Sequence, residues 1–341
     1  MDELLRELIE VPGIPGYEDR VRALVEERLP EGVATQTDAM GNLVATVGEG
    51  EKACLFVAHM DEIGFVVSDI TAEGFLKLKT LGGIDPRSAF GRVLRVVTAK
   101  GEVPGVVGIK PPHLMKSREK EMAEVPGVSE WLLDIGARSR EEAQALGVSV
   151  LDFAVWDKNP RVLNGRIWCA RALDDRVGCY VLLRAMERLA EERFTWKVHF
   201  AFSVQEEVGL RGATLLARKF PCELAFAVDS VSTADWPGVS RDLSPARLGE
   251  GTCLRVLDNA SVIPVAFRKE LEALAAKERI PLQTVFSGGG TDAQPFQVEG
   301  PQVMSLAFPL RYTHSAVELV HKDDVEATIR FVCAIARKYA G

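Results

Sequence analysis

Cysteine is sparse and none of it is arranged for chemistry. The six cysteines (Cys54, Cys169, Cys179, Cys222, Cys253 and Cys333) are scattered, mostly inside apolar runs, and none forms a CxxC pair. That excludes a zinc ribbon or a dithiol redox motif and leaves buried free thiols. Long apolar runs are missing as well, since none approaches the ~20 residues a membrane helix needs. Positive charge is in deficit. A net charge of -8 argues against a nucleic-acid binder, which usually carries a basic patch or stripe. The opening MDELLRELIE is acidic and amphipathic, unlike a secretory signal, so the expected location is the cytoplasm. Internal repeats and low-complexity tracts are absent, and there are only five histidines.

What is present is an ordinary globular composition, 47% hydrophobic and 26% charged over 341 residues, enough for two domains or for one large domain with an insert. Helical spacing of Leu4, Leu5 and Leu8 is followed by the breaker Val11 to Gly16. A second helix is marked by Tyr17, Val21, Leu24 and Val25. Residues 33–37 and 43–47 read as a hairpin. Cys54 to Ala58 is a continuous apolar run, the mark of a strand buried on both faces, and it ends in His59-Met60-Asp61-Glu62.

From 64 to 164 the pattern changes. Short β-rich runs (64–70, 75–78, 93–98, 103–109, 131–135 and 148–154) alternate with Gly, Pro and Asp turns. The one evident helix is 140–146, with Ser139 and Glu142 as a capping box. This predicts a small barrel or sandwich inserted into a larger domain formed by 1–63 and 165–341. In the second part, helices (175–189, 213–219, 264–277, 324–338) alternate with strands (196–204, 224–228, 282–286, 302–308). That is the signature of an α/β fold, a mostly parallel sheet flanked by helices.

Ligands of open α/β sheets bind at the carboxyl ends of the strands, which directs attention to polar residues that follow apolar runs or open helices. They are His59 and Asp61, Asp174 and Asp175, Glu206 and Glu207, Asp229, Asp292 and His314. Histidine with carboxylates at strand ends is ligand chemistry for zinc, cobalt or manganese. Each has a plainer reading. Asp174 and Asp175 are ordinary helix-capping residues, and adjacent acids such as Glu206-Glu207 usually sit in solvent. Directly after a buried strand, however, those two suffer like-charge repulsion and desolvation that a cation would relieve. Two successive residues at a strand end also face opposite ways, so one glutamate can bind metal while the other acts as a base. His113 reads as a structural or interface residue of the insert, His199 as a satisfied core residue and His321 as a surface one.

Taken together, the segments AHMDEIGF, LGGIDPRS, ALDDRVG, VQEEVGLRGA, SGGGTDA and RYTHSAVEL resemble, in order, the TET-type (tetrahedral) metalloaminopeptidases, the glutamyl-aminopeptidase or cellulase-M family. The resemblance spans nearly the whole chain, with no departure at the ligand positions. It implies a zinc-exopeptidase-like domain and two divalent ions, zinc or cobalt. One ion would be held by His59, Asp174 and Asp229, and the other by Asp174, Glu207 and His314. Glu206 would be the general base or acid and Asp61 would orient His59. The resemblance further implies peptide substrates, an insert used in dimerisation, and dimers assembling to a dodecamer. Rival readings are another metallohydrolase of the same plan (a carboxypeptidase, deacylase or dipeptidase), a glycosidase, which needs a carboxylate pair and usually no metal, and an assembly protein with a dead site.

Overall fold

The structure, a computed structural model, describes residues 1–157 and 159–341. It opens with α1 (Glu3–Glu10) and α2 (Asp19–Glu27). Asp2 caps α1 by accepting from the Leu4 amide at 3.0 Å, one of the orphan donors of a helix start. Leu4, Leu5, Leu8 and Ile9 turn inward. The hairpin forms as β1 (Ala34–Thr37) and β2 (Leu43–Val47), paired antiparallel. Next, β3 (Ala53–His59) is buried at every residue, as its unbroken apolar run required.

The chain divides into two compact units, one of which comprises Ile63–Asn159 with His314–Ala316. In it β4 (Gly64–Ile70), β5 (Leu76–Leu81), β6 (Val93–Thr98), β7 (Gly101–Val107), β8 (Leu133–Asp134) and β9 (Phe153–Trp156) close a barrel in the order β4-β5-β8-β7-β6-β9. Phe65 packs against Trp131 and Trp156, with ring centroids 5.8 and 5.0 Å away. Two helices interrupt the strands. The first, α3 (Arg118–Ala123), has no buried residue and therefore no apolar periodicity to announce it. The second, α4 (Arg140–Ala145), forms half of the expected capping box: Ser139 Oγ accepts from the Glu142 amide at 3.2 Å, while the Glu142 carboxylate accepts from the Arg138 amide at 2.9 Å.

The other unit comprises Met1–Glu62, Pro160–Thr313 and Val317–Gly341. After the barrel the chain re-enters the main sheet at β10 (Arg161–Leu163), ahead of the boundary read from composition, because those three residues are exposed and give no burial signal. There follow β11 (Ile167–Ala170), α5 (Leu173–Leu189), β12 (Lys197–Ser203), α6 (Arg211–Lys219), β13 (Leu224–Ser232), β14 (Thr252–Leu257), α7 (Val265–Lys277), β15 (Leu282–Phe286), α8 (Ala293–Glu299), β16 (Gln302–Arg311), β17 (Glu318–His321) and α9 (Lys322–Ala340). The sheet runs β1-β2-β12-β3-β13-β16-β17-β11-β10, with β14 joining β16 to β15. The expected parallel arrangement holds across β12, β3, β13 and β16, while both margins run antiparallel.

An aromatic ladder pins that central register. Phe200, Phe56 and Phe226 are aligned across β12, β3 and β13, and Phe56 stacks on the other two at centroid distances of 5.7 and 5.2 Å. Because a slip of one residue would turn every side chain to the other face, the ladder also fixes which residues emerge together at the strand ends. Among the described residues no helix is long and apolar enough to cross a membrane.

One buried acid in this unit makes stability depend on pH. Asp324, fully buried in the first turn of α9, accepts from the Gly249 and Gly251 amides at 2.7 Å each. Burial outweighs those two bonds and holds its pKa up at about 7. An unfolded Asp titrates near ~3.9, so between these values the folded chain binds more protons than the unfolded one. This contribution to stability is therefore full below about pH 4 and lost as pH rises through about 7. Asp324→Asn should lower the urea midpoint, since one glycine donor loses its acceptor at a cost of ~1–3 kcal/mol. It should also narrow the difference in midpoint between acid and neutral pH relative to the parent.

Candidate metal centre

The central strands bring three of the chosen residues together. His59 ends β3 level with Ser203 at the end of β12, and Asp229 lies two residues beyond the pairing of Ala227 with Val57 on the next strand. Asp174 enters at the start of α5, where it and Asp175 depart from helical dihedrals and share a cis peptide bond. One ligand atom from each of His59, Asp174 and Asp229 lies within 4.8 Å of the other two, and all three residues are buried; His59, Glu206 and Glu207 are equally close to one another, with the two glutamates half-buried. The His59 Nε2 is 3.4 Å from Asp174 Oδ1 and 4.0 Å from Glu206 Oε2.

The ring of His59 is set from behind. Its Nδ1 lies 3.0 Å from the Asp61 carbonyl oxygen; a carbonyl only accepts, so Nδ1 carries a hydrogen and Nε2 is the nitrogen turned to the carboxylates. The Asp61 carboxylate is farther, at 3.6 Å. Its main contacts are elsewhere. Oδ1 accepts from the Glu206 amide and Oδ2 from the Glu207 amide, both at 3.1 Å. Asp61 thus orients the ring mainly through its backbone and spends its side chain on the two glutamates. Asp175 caps α5 through the Gly178 amide at 3.0 Å and also accepts from the His59 amide at 3.1 Å. A Cβ at position 178 would collide with that carboxylate. Around Asp174, Ser230 Oγ donates to Oδ2 at 3.0 Å, and the Asp174 amide donates to Glu318 at 3.1 Å. Ser230 lies in no motif that could reveal it, and Glu318 stands inside the RYTHSAVEL segment without a residue type or spacing that announces its contact. The capping role of Asp175, by contrast, is the one its place at a helix start suggested.

Glu206 and Glu207 do not sit on a strand, contrary to the alternation argument. The strand stops at Ser203, and Gln205 turns the chain with φ 55°. The places of the two glutamates are set instead by that turn and by the amide bonds to Asp61.

The electrostatics describe a site short of positive charge. Burial, despite the nearby His59 and aided by Asp229, Asp292 and Glu207, pushes the Glu206 carboxyl well above its usual range. Burial and the neighbouring Asp174 raise Asp229 to about 7, and burial raises Asp292 to about 6. Burial by itself would lower the His59 imidazole, but Glu206, Asp174 and Asp61 outweigh it and lift it well above normal. Desolvated acids crowding one imidazole nitrogen are a donor set that a divalent cation fits, because it would replace the proton at Nε2 and offset the repulsion.

His314 follows β16 with φ 62°, in the stretch that groups with the barrel unit. Within that unit it stands over Gly83 of the LGGIDPRS segment, where a Cβ would lie 3.1 Å from its Nδ1. Asp292 is buried beneath the strand ends, accepting from Ser203 Oγ. His199 is the core residue expected, bonded to Thr46 Oγ1 at 2.8 Å. His321 is more than a surface residue, since its Nδ1 caps α9 by accepting from the Asp323 amide at 3.2 Å.

A family model described as M42 glutamyl aminopeptidase matches residues 41–331. A lysyl aminopeptidase of Pyrococcus furiosus is 35% identical over 343 residues, covering 98% of this chain and 96% of that protein. A glutamyl aminopeptidase of Lactococcus lactis is 31% identical, covering 97% and 94%. Among solved structures, the TET1 peptidase of Pyrococcus horikoshii, described as able to assemble into a tetrahedron or a large octahedral shell, is 40% identical with a TM-score of 0.91, covering 98% of each chain.

Proposed function

The chain belongs to the M42 glutamyl aminopeptidase family, and from that premise we propose how its residues divide the work of a metal-dependent aminopeptidase. The reading is two divalent ions, zinc or cobalt, one held by His59, Asp174 and Asp229 and the other by Asp174, Glu207 and His314. The first set is supported by its mutual proximity and burial, and His314 by the RYTHSAVEL segment it shares with the family. When bound, such ions polarise a scissile carbonyl and lower the pKa of a water until it can attack near neutral pH.

The rest is the work of the protein. Glu206 accepts the water's proton at its carboxylate and delivers it to the departing amine nitrogen. The observation that supports this role best is the position of Glu206 Oε2, 4.0 Å from the His59 Nε2, on a half-buried side chain whose desolvation favours holding a proton. Asp61 keeps both glutamate amides, and with them the spacing between base and ligand. His59 is held by Asp175 and the Asp61 carbonyl so that Nε2 alone faces the site.

A panel of amino-acid p-nitroanilides with free and with acetylated amines, assayed on metal-reconstituted protein, tests the reading. Cleavage of the free forms only, lost on chelation, is the expected result; equal cleavage of blocked substrates would point to another hydrolase of the same plan. We further read the barrel as a dimerisation element and the assembly as a dodecamer in the cytoplasm. The six cysteines, none of them in a disulfide, fit a reducing compartment. Sedimentation at about twelve subunit masses, collapsing to smaller species when the barrel surface is mutated, is the expected outcome, as tetrahedral relatives suggest.

A further inference from the structure

Four consecutive amides beyond β12 are each held by a side chain from far earlier in the chain. Val204 N–H donates to Asn42 Oδ1 at 3.0 Å, Gln205 N–H to Glu18 Oε1 at 3.0 Å, and the Glu206 and Glu207 amides to the two oxygens of Asp61. The Gln205 bond differs from its neighbours in what it holds. Gln205 is a non-glycine residue in the left-handed region, with φ 55°, a conformation that persists only when its surroundings impose it. That turn takes the chain off the strand and aims Glu206 at His59.

Glu18 itself is buried and hydrogen-bonded. It is 5% exposed, and the oxygen that holds Gln205 also accepts from the Gly16 amide at 2.9 Å. The α1–α2 connection carrying it is gripped by the buried guanidinium of Arg176, which donates to the carbonyls of Val11 at 2.9 Å and Gly13 at 3.2 Å. Its negative charge has no cationic partner among the contacts just described. Burial and the nearby Asp61 carboxylate instead hold its pKa up at about 7.

We infer that Glu18 is a positioning residue for the hydrolytic reaction, acting as a hydrogen-bond acceptor that fixes the turn at Gln205 and thereby the carboxylate of Glu206. The inference rests on Glu206 being the proton carrier. Because both bonds converge on one oxygen, a carboxamide with its oxygen in the same place serves as well as a carboxylate. Removing the acceptor leaves a half-buried N–H unpaired and releases the turn, and a displacement of ~1 Å at a reacting group costs about 10²-fold in rate.

The test compares Glu18→Gln and Glu18→Ala in the full-length, metal-loaded enzyme, with kcat, KM and bound metal measured on each. The expected result is a kcat within about threefold of the parent for Gln and ~10–100-fold lower for Ala, with KM and metal content little changed. If Ala fails to fold, Glu18→Asp, one methylene too short to reach both amides, replaces it. In a Glu206→Gln background, adding Glu18→Ala should cost no further factor, since the two act through one group. A Gln variant as slow as Ala, an Ala variant with the parent's kcat, a loss that tracks metal content, or additive losses in the double variant would each overturn the inference. Full turnover in Glu206→Gln alone would remove the base assignment itself, and so is told apart from a failure confined to Glu18.

Discussion

Glu206→Gln should bind its metal as the parent does and turn over at least ~10²-fold more slowly, the lower end of what a positioned general base contributes. The substitution keeps shape and volume on a side chain that is 12% exposed. The proposed ligand set His59, Asp174 and Asp229 keeps its members, so elemental analysis should find an unchanged metal content. What is lost is the only feature Gln cannot supply, an oxygen that takes a proton. Glu207 cannot substitute, because its amide and that of Glu206 are tied to opposite oxygens of Asp61. The two side chains therefore leave the backbone from separately fixed points. Glu207→Gln should show the converse pattern, in which metal content falls along with rate. A Glu206→Gln protein retaining more than about a tenth of parental kcat would show that the proton travels by another group.

The sequence made the main sheet and its chemistry legible for one physical reason. Strands buried on both faces have almost no polar residues, so the polar residue that ends each one stands out, as His59 does after Cys54 to Ala58 and Asp229 after Leu224 to Val228. Histidine and aspartate at such places carry information because burying them without a partner is costly. The supporting shell was illegible for the opposite reason. Glu18 lies at the start of an amphipathic helix and Asn42 at a hairpin turn, places where Glu and Asn are commonplace, and only tertiary contact shows what they hold. Gly212 belongs to the same group. A Cβ there would strike Asn42 Oδ1 and the Val204 carbonyl, so it marks a close approach that its place in the sequence does not announce. Exposed β10 and α3 escaped notice because period and burial are the only signals that sequence offers for short elements. The alternation rule misassigned the two glutamates because it assumed that the strand continued past Ser203.

Asp174→Asn should have opposite effects on stability with and without metal, and that reversal separates a ligand from a structural acid. Its Oδ1 stands 3.4 Å from the His59 Nε2, and its charge helps to raise the pKa of both Asp175 and Asp229. In the ion-free chain it is one of an excess of buried acids around a single imidazole, so neutralising it relieves repulsion. Asparagine keeps an oxygen for Ser230 Oγ. The metal-free variant should therefore melt at or above the metal-free parent. With metal the order inverts. An ion present at about 100 times its Kd stabilises the folded parent by ~2.7 kcal/mol, and a variant binding it ~100-fold more weakly forgoes most of that gain. Turnover should fall with the bound metal, to a few per cent of the parent or less at matched metal concentration. A thermal melt of each protein with chelator and with zinc reads all four states. If Asp174→Asn kept the parent's metal-induced rise in melting temperature, Asp174 would not belong to the donor set, and both proposed ion sites, which share it, would have to be redrawn.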